Sequence, residues 1–163
     1  MHFNKQTIDS IKTQLLKKRE TVAVAESVTS GMLQLALSTA DKAIYFFQGG
    51  ITAYNLGQKT RHLYIDPVNA EACNCVSEKT VTEMAINICR QFTSDWGIAV
   101  SGYASPVPES GNKLYAWYGI AYQGKLRIVK KITSPRNEPI EVQAKYCDEI
   151  LKAFRKAINK KSK

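Results

Sequence analysis

One short segment of this chain concentrates side chains that could do chemistry. The run Ala25-Glu26-Ser27-Val28-Thr29-Ser30-Gly31 holds one carboxylate and three hydroxyl groups. A serine hydroxyl is a weak nucleophile that becomes reactive when a neighbouring base takes its proton. Serine and threonine hydroxyls are equally common as plain caps at the start of a helix. The residue types alone therefore leave two interpretations open, a reactive or ligand-binding turn and a capping turn.

The elements around this segment favour a ligand site. Residues 21–25 (TVAVA) are typical of a short buried strand, and residues 31–38 have helical composition. A second buried strand, residues 97–100, runs into Ser101 and Gly102. In open α/β sheets, ligands bind beyond the carboxyl ends of the strands, and helix N-termini offer amide groups to phosphate or carboxylate. The pattern is compatible with an anionic ligand at the turn, and a plain helix cap remains the alternative.

The remaining pattern alternates helices with strands. A helix with its apolar residues on one face is predicted over 5–18, and another follows Ser77 as its N-cap. Further predicted elements are a strand bent at two glycines (46–54), a short helix (56–63), a hairpin (115–122 and 126–133) and a last helix (139–159). This order predicts the α/β class, with a three-layer α/β/α sandwich around a mixed, mostly parallel sheet.

Length and composition fit one soluble domain. The 163 residues are 44% hydrophobic and 23% charged, which is ordinary for a globular protein. No apolar run approaches a membrane span, and the first residues lack the apolar block of a signal peptide. We expect a cytoplasmic protein with no membrane partner, a single domain over 1–163 and a mobile basic tail from about residue 156.

The net charge of +9 raises the question of nucleic acid. Much of that charge lies in the last dozen residues and at the end of the first predicted helix, where the helix dipole favours cations without any ligand. An aromatic cluster in the predicted hairpin is explained by packing across the strands; its members are Tyr115, Trp117, Tyr118 and Tyr122. Nucleic acid is therefore not the favoured partner.

The cysteines and histidines do not form a metal-binding pattern. Cys73 and Cys75 are separated by one residue, and neither a C-x-x-C spacing nor a second zinc-type pair is present. Two histidines stand apart from the cysteines and from any carboxylate cluster. We expect buried free thiols, no metal ion and no cofactor.

Several motifs in the same order and spacing resemble the C-terminal domain of the competence/damage-inducible CinA family. The family's usual AESCTGG corresponds to residues 25–31, and its Y-x4-K corresponds to Tyr54 and Lys59. Gly49-Gly50 and the helix opening Val76-Ser77-Glu78 also match. The resemblance extends from about residue 21 to residue 154. That family includes the bacterial nicotinamide mononucleotide deamidase.

The resemblance implies a serine amidohydrolase built on a Ser–Lys pair. Ser27 would attack the carboxamide carbon of nicotinamide mononucleotide, Lys59 would take its proton, and Tyr54 would orient or relay that proton. A lysine can act as a base near neutral pH only when burial or cationic neighbours lower its pKa. The amides of residues 29–31 would stabilise an oxyanion or a phosphate. A nucleotide substrate and a homo-oligomer are also implied.

The same resemblance implies a set of substrate-binding positions, namely Glu26, Thr29, Ser30, Gly31, Gly50, Gly102, Ala104 and Arg136. The chain also departs from the family pattern. Ser30 replaces a glycine, and residues 102–106 read GYASP where the family reads GIAGP. Lys113-Leu114-Tyr115-Ala116 replaces K-P-x-G, and a second arginine after Arg136 is missing. The alternative is a family member that binds a nucleotide or a protein without turnover.

Overall fold

The computed structural model describes residues 3–135 and 137–160. In chain order the helices and strands are α1 (Lys5–Lys18), β1 (Val22–Glu26), α2 (Met32–Ser38), β2 (Phe47–Thr52), α3 (Leu56–Leu63), α4 (Pro67–Ala72), α5 (Glu78–Gln91), β3 (Trp96–Gly102), β4 (Leu114–Tyr122), β5 (Lys125–Ser134) and α6 (Pro139–Asn159). The predicted alternation of helices and strands is confirmed.

The five strands form one mixed sheet in the order β2-β1-β3-β4-β5. β1 pairs in parallel with both β2 and β3, whereas β4 is antiparallel to β3 and to β5. Four of these strands consequently run in the same direction and β4 alone is reversed. The carboxyl ends of β1, β2, β3 and β5 meet at one end of the sheet. The predicted α/β class with a mixed, mostly parallel sheet is confirmed.

Helices cover both faces of the sheet. One apolar core joins residues of α1, α2 and α6 to one face, and a second joins residues of α3, α4 and α5 to the other. Because β1 and β3 are covered on both faces, nearly all their side chains are buried. This explains why both strands are continuous apolar runs in the sequence.

Local sequence signals explain several boundaries. The Ser77 hydroxyl accepts a hydrogen bond from the Thr80 amide at 3.1 Å, as expected for an N-cap, and α5 begins at the next residue. The hairpin turns at Gln123 and Gly124, whose φ angles of 49° and 71° are both positive. Two positive φ angles in a two-residue turn match the twist of the flanking strands.

One helix was not predicted from the sequence. In the sequence, Asp66 and Pro67 fit the end of the short helix predicted over 56–63, whereas in the structure they start α4. The Asp66 carboxylate accepts hydrogen bonds from the amides of Val68 and Asn69, and Pro67 occupies the first turn. Proline is favoured there because its fixed φ suits a helix and its missing N–H would have no partner.

The last helix includes part of the segment predicted as a basic tail. Residues 156–159 continue α6, and Ile158 is fully buried. The Ile158 carbonyl also accepts a hydrogen bond from the Lys18 ammonium at 2.5 Å. Residues 161–163 lie outside the described range. None of the helices in residues 3–135 and 137–160 is long and apolar enough to cross a membrane.

Gly97 marks the closest approach between the sheet and α5. A Cβ atom at this position would lie 2.2 Å from the Ala85 carbonyl oxygen and 2.7 Å from Cys89 Sγ. We expect Gly97→Ala to lower the free energy of unfolding by roughly 1–3 kcal/mol, the usual cost of overpacking a core. Urea denaturation would measure the loss. Gly124→Ser is a tolerant comparison because no atom lies within 4 Å of a Cβ there, although its positive φ retains some strain. A Gly97→Ala variant as stable as the wild type would contradict this packing.

Candidate functional site

The buried Glu26 carboxylate organises the turn after β1. Its Oε2 accepts hydrogen bonds from Thr29 Oγ1 at 2.5 Å and from the amides of Gly31 and Leu33, at 3.2 and 3.1 Å. Its Oε1 accepts one from the Gln34 amide at 2.9 Å. Glu26 is fully buried. The carboxylate therefore satisfies amide groups that the first turn of α2 would otherwise leave unpaired, and it complements the positive end of the helix dipole.

The backbone explains the glycine preference of this motif. Ser30 and Gly31 both lie in the left-handed region, with φ angles of 49° and 98°. Glycine adopts that region at little cost, whereas a side chain makes it less favourable. In this chain Ser30 is exposed, and both its amide, at 3.0 Å, and its hydroxyl, at 3.5 Å, donate to the Ser27 carbonyl. Serine is consequently tolerated where the family usually has glycine.

Ser27 lies where the central strands end. Its amide donates to the Val100 carbonyl of β3 at 3.1 Å, and the carbonyl of the preceding Glu26 accepts from the Ala53 amide after β2 at 2.9 Å. Ser27 is only 5% exposed, and its Oγ makes no hydrogen bond with the residues that the structure describes. The Ser27 hydroxyl therefore lies at the carboxyl ends of the parallel strands, as predicted, and it has no hydrogen-bond partner among the described residues.

The amides near Ser27 differ in availability. Those of Ser30 and Gly31 are occupied by Ser27 and Glu26, so two of the three donors predicted for an anion are already used. The amides of Val28 and Thr29 donate to no acceptor in the described parts of the chain. An amide directly after a nucleophile is well placed to stabilise an oxyanion. The structure thus shifts this expected role from residues 29–31 to residues 28 and 29.

Lys59 is a buried amine on α3. Its side chain is 3% exposed, and Nζ donates to the Tyr54 carbonyl at 3.0 Å. Burial lowers the pKa of Lys59, because the charged form loses hydration, and the nearby Cys75 thiol partly opposes this effect. The condition expected of a catalytic lysine, a pKa lowered by burial, is met. No hydrogen bond joins Lys59 Nζ to Ser27 Oγ among the described contacts.

Tyr54 contributes its backbone to this arrangement. Its side chain is 69% exposed, and the atom that contacts Lys59 is the carbonyl oxygen. Because Glu26 is in register with Thr52, Ser27 is level with Ala53, and Tyr54 is one residue further along the chain after β2. The Tyr54 carbonyl therefore holds the Lys59 amine at the same end of the sheet as Ser27. The Tyr54 phenol faces solvent.

The segment just before α5, which the sequence pattern did not single out for chemistry, lies near Lys59. Asn74 and Cys75 are consecutive residues with positive φ angles, 50° and 59°. The Cys75 carbonyl accepts from Ser101 Oγ at 2.7 Å, and the Asn74 amide group donates to the Tyr103 hydroxyl at 3.2 Å. Burial raises the pKa of the Cys75 thiol. These two hydrogen bonds attach the Asn74–Cys75 segment to the carboxyl end of β3.

The other predicted binding residues have packing roles in the structure. A Cβ at Gly50 would lie 2.5 Å from the Val24 carbonyl oxygen, and one at Gly102 would lie 2.5 Å from Ala116 Cα. Ala104 belongs to the core shared with α6. Arg136, predicted to bind phosphate, lies outside the described residues.

Within residues 3–135 and 137–160, no group of three or more histidine, cysteine or acidic side chains could hold a metal ion. The four cysteines are free thiols, of which Cys75, Cys89 and Cys147 are buried and Cys73 is half-buried. The expectation of free thiols is confirmed, and that of full burial fails for Cys73.

Fold and site together define the class: a three-layer α/β domain with a serine turn and a buried lysine at the carboxyl ends of its parallel strands. Residues 4–158 match the family model described as the CinA C-terminal domain. The chain belongs to this family.

Similar proteins include a CinA-like protein of Synechocystis sp., 41% identical over 104 residues, which span 63% of this chain and 25% of that protein. A CinA-like protein of Prochlorococcus marinus is 34% identical over 154 residues, covering 92% of this chain and 36% of its own length. This chain thus spans about a quarter to a third of these relatives. A solved competence or damage-inducible protein from Enterobacter asburiae aligns at a TM-score of 0.90 with 25% identity, covering 98% and 100% of the two chains.

Proposed function

We propose that this chain is an amidohydrolase of the nicotinamide mononucleotide deamidase type, which releases ammonia and nicotinate mononucleotide. The observation that carries the proposal is Lys59, a buried amine with a lowered pKa beside the strand end that holds Ser27. A buried amine without a carboxylate partner is costly as a structural element, because its charged form loses hydration. The buried Lys59 amine is better explained as a general base, because a pKa closer to neutrality suits proton transfer.

In the proposed reaction, the neutral Lys59 amine takes the proton of Ser27 Oγ as that oxygen attacks the carboxamide carbon. The amides of Val28 and Thr29 stabilise the negative charge that develops on the carbonyl oxygen. The C–N bond then breaks, and the departing amine receives the proton from the Lys59 ammonium and leaves as ammonia. Water, deprotonated by Lys59, hydrolyses the remaining ester and frees Ser27 together with the carboxylate product.

A second candidate is a CinA-family protein that binds a nucleotide without turnover. It is favoured by one specific observation: the described contacts include no hydrogen bond between Ser27 and Lys59, and the Lys59 amine is engaged with the Tyr54 carbonyl. Hydrogen bonds between catalytic groups are often longer without substrate. A Ser27–Lys59 hydrogen bond that forms only when substrate is bound would fit the amidohydrolase.

Ammonia release from nicotinamide mononucleotide separates the two. For the amidohydrolase we expect turnover in the wild type and a loss of at least about 100-fold in Ser27→Ala, because the nucleophile is gone. Ser110→Ala is a matched control, since Ser110 is also a buried serine but bonds only its own turn, through the Val107 carbonyl. Activity that survives Ser27→Ala would reject Ser27 as nucleophile. No ammonia from the wild type, together with a rise in melting temperature on adding the mononucleotide, would favour the binding protein.

A further inference from the structure

A cleft separate from the candidate site lies at the same end of the sheet as Ser27, where β4 begins and β5 ends. Its volume is about 280 Å³. It is lined by Asn112, Lys113, Leu114, Tyr115, Lys131, Thr133 and Ser134. None of these lining residues is acidic. No position in this cleft belongs to the candidate site described above.

The charge of this cleft is uncompensated. The ion pairs within residues 3–135 and 137–160 involve other lysines, so neither the Lys113 nor the Lys131 ammonium has a carboxylate within 4.0 Å in that range. Lys131 Nζ instead lies 3.9 Å from the centroid of the Tyr115 ring. A ring face attracts a cation and holds it in place. The Lys131 ammonium is thus positioned at the cleft without being neutralised there.

Hydroxyl and amide groups complement the two cations. Thr133, two residues after Lys131 and on the same side of β5, supplies a hydroxyl donor, and Asn112 supplies an amide. Two ammonium groups with nearby neutral donors form the usual environment of a phosphate group. The volume suits a phosphomonoester of a small sugar better than a polymer.

A chain of contacts connects the cleft to the proposed catalytic lysine. The Tyr115 ring lies 5.3 Å from the Tyr103 ring in an edge-to-face arrangement, and the Tyr103 hydroxyl accepts from Asn74. Asn74 precedes Cys75, which lies near Lys59. These contacts connect the cleft to the segment beside Lys59.

We propose that this cleft, built by Lys113, Lys131 and the Thr133 hydroxyl of β5, is a binding site for the phosphate group of a small phosphomonoester. Binding there requires no turnover at Lys59. A failure of this proposal and a failure of the proposed amidohydrolase are therefore distinguishable, since binding is measured without a reaction.

The experiment titrates the whole chain with ribose 5-phosphate at low salt, with ribose as the unphosphorylated control, and follows backbone amide signals by NMR. We expect ribose 5-phosphate to shift the amides of residues 112–115 and 131–134, and ribose to leave them unchanged. Lys131→Gln is expected to weaken binding about tenfold, which is the contribution of one charge-assisted hydrogen bond.

Lys130→Gln is the matched control. Lys130 is also exposed on β5, but as the neighbouring residue it faces the opposite side of the strand. An equal loss of affinity in both variants would indicate only a general effect of positive charge on the edge strand β5, and it would overturn the proposal. Lysines on an edge strand also discourage association with other strands. Absence of amide shifts with ribose 5-phosphate would overturn it as well.

Discussion

Glu26→Ala is expected to lower the free energy of unfolding by roughly 3–5 kcal/mol, the range for removing one member of a buried charged network. The variant leaves the Thr29 hydroxyl and the amides of Gly31, Leu33 and Gln34 without their acceptor in a closed region. Unsatisfied buried donors retain the full cost of lost hydration. The expected result is a large shift of the urea midpoint, which is measured by circular dichroism.

Two variants make this result specific. Glu26→Gln keeps the volume and one acceptor oxygen, so we expect a smaller loss of about 1–3 kcal/mol, the cost of leaving a buried group unsatisfied. Glu71→Ala removes an exposed carboxylate from α4 and is expected to change stability by less than about 0.5 kcal/mol. If Glu26→Ala were as stable as Glu71→Ala, the carboxylate would not be the cap of α2.

In contrast to Glu26→Ala, Lys59→Met is expected to cause a large loss of activity with little loss of stability. Methionine fills similar space without a charge, so the hydration cost of the buried ammonium disappears. Deamidation of nicotinamide mononucleotide is expected to fall by about 10²–10⁴-fold, the usual contribution of a general base. Lys130→Met, at an exposed position, serves as the comparison for both measurements.

The pH dependence provides an independent test of Lys59. Since its pKa is lowered in the folded protein from the ordinary 10.5, the unfolded chain binds more protons between the two values. The contribution of Lys59 to the free energy of unfolding therefore rises with pH from the lowered pKa up to about 10.5 and is constant outside that window. The difference between wild type and Lys59→Met should show this rise. A flat difference across the window would mean that Lys59 is not buried in solution.

Much of the fold could be predicted from the sequence because its signals are local. The apolar spacing of α5 and its Ser77 cap depend on neighbours within four residues, and the structure confirms both. The helix α4 was missed because Asp66-Pro67 fits the end of one helix as well as the start of another. The choice depends on tertiary contacts, including the bond from the Asp66 amide to Glu83 seventeen residues away.

The candidate site was predictable in position and less so in detail. A strand followed by a polar turn and a helix indicated where Ser27 would lie. The partners of the Glu26 carboxylate could not be predicted, because they are amides that converge only once the turn has formed. Cys75 lies near Lys59 in the structure although it is distant in sequence, and its carbonyl is held by the Ser101 hydroxyl. No local pattern encodes that contact.

The position of β2 at the edge of the sheet has a consequence for motion. Ser27 follows β1, which is paired on both sides, whereas Tyr54 and Lys59 follow β2, which is paired with β1 alone. Exposed edges open at lower free energy than the centre of a domain. The two halves of the candidate site therefore belong to regions of different local stability. In hydrogen exchange, we expect the amides of β2 to lose protection before those of β1 that bond β3, which would show that the lysine can separate from the serine while the centre of the sheet is still folded.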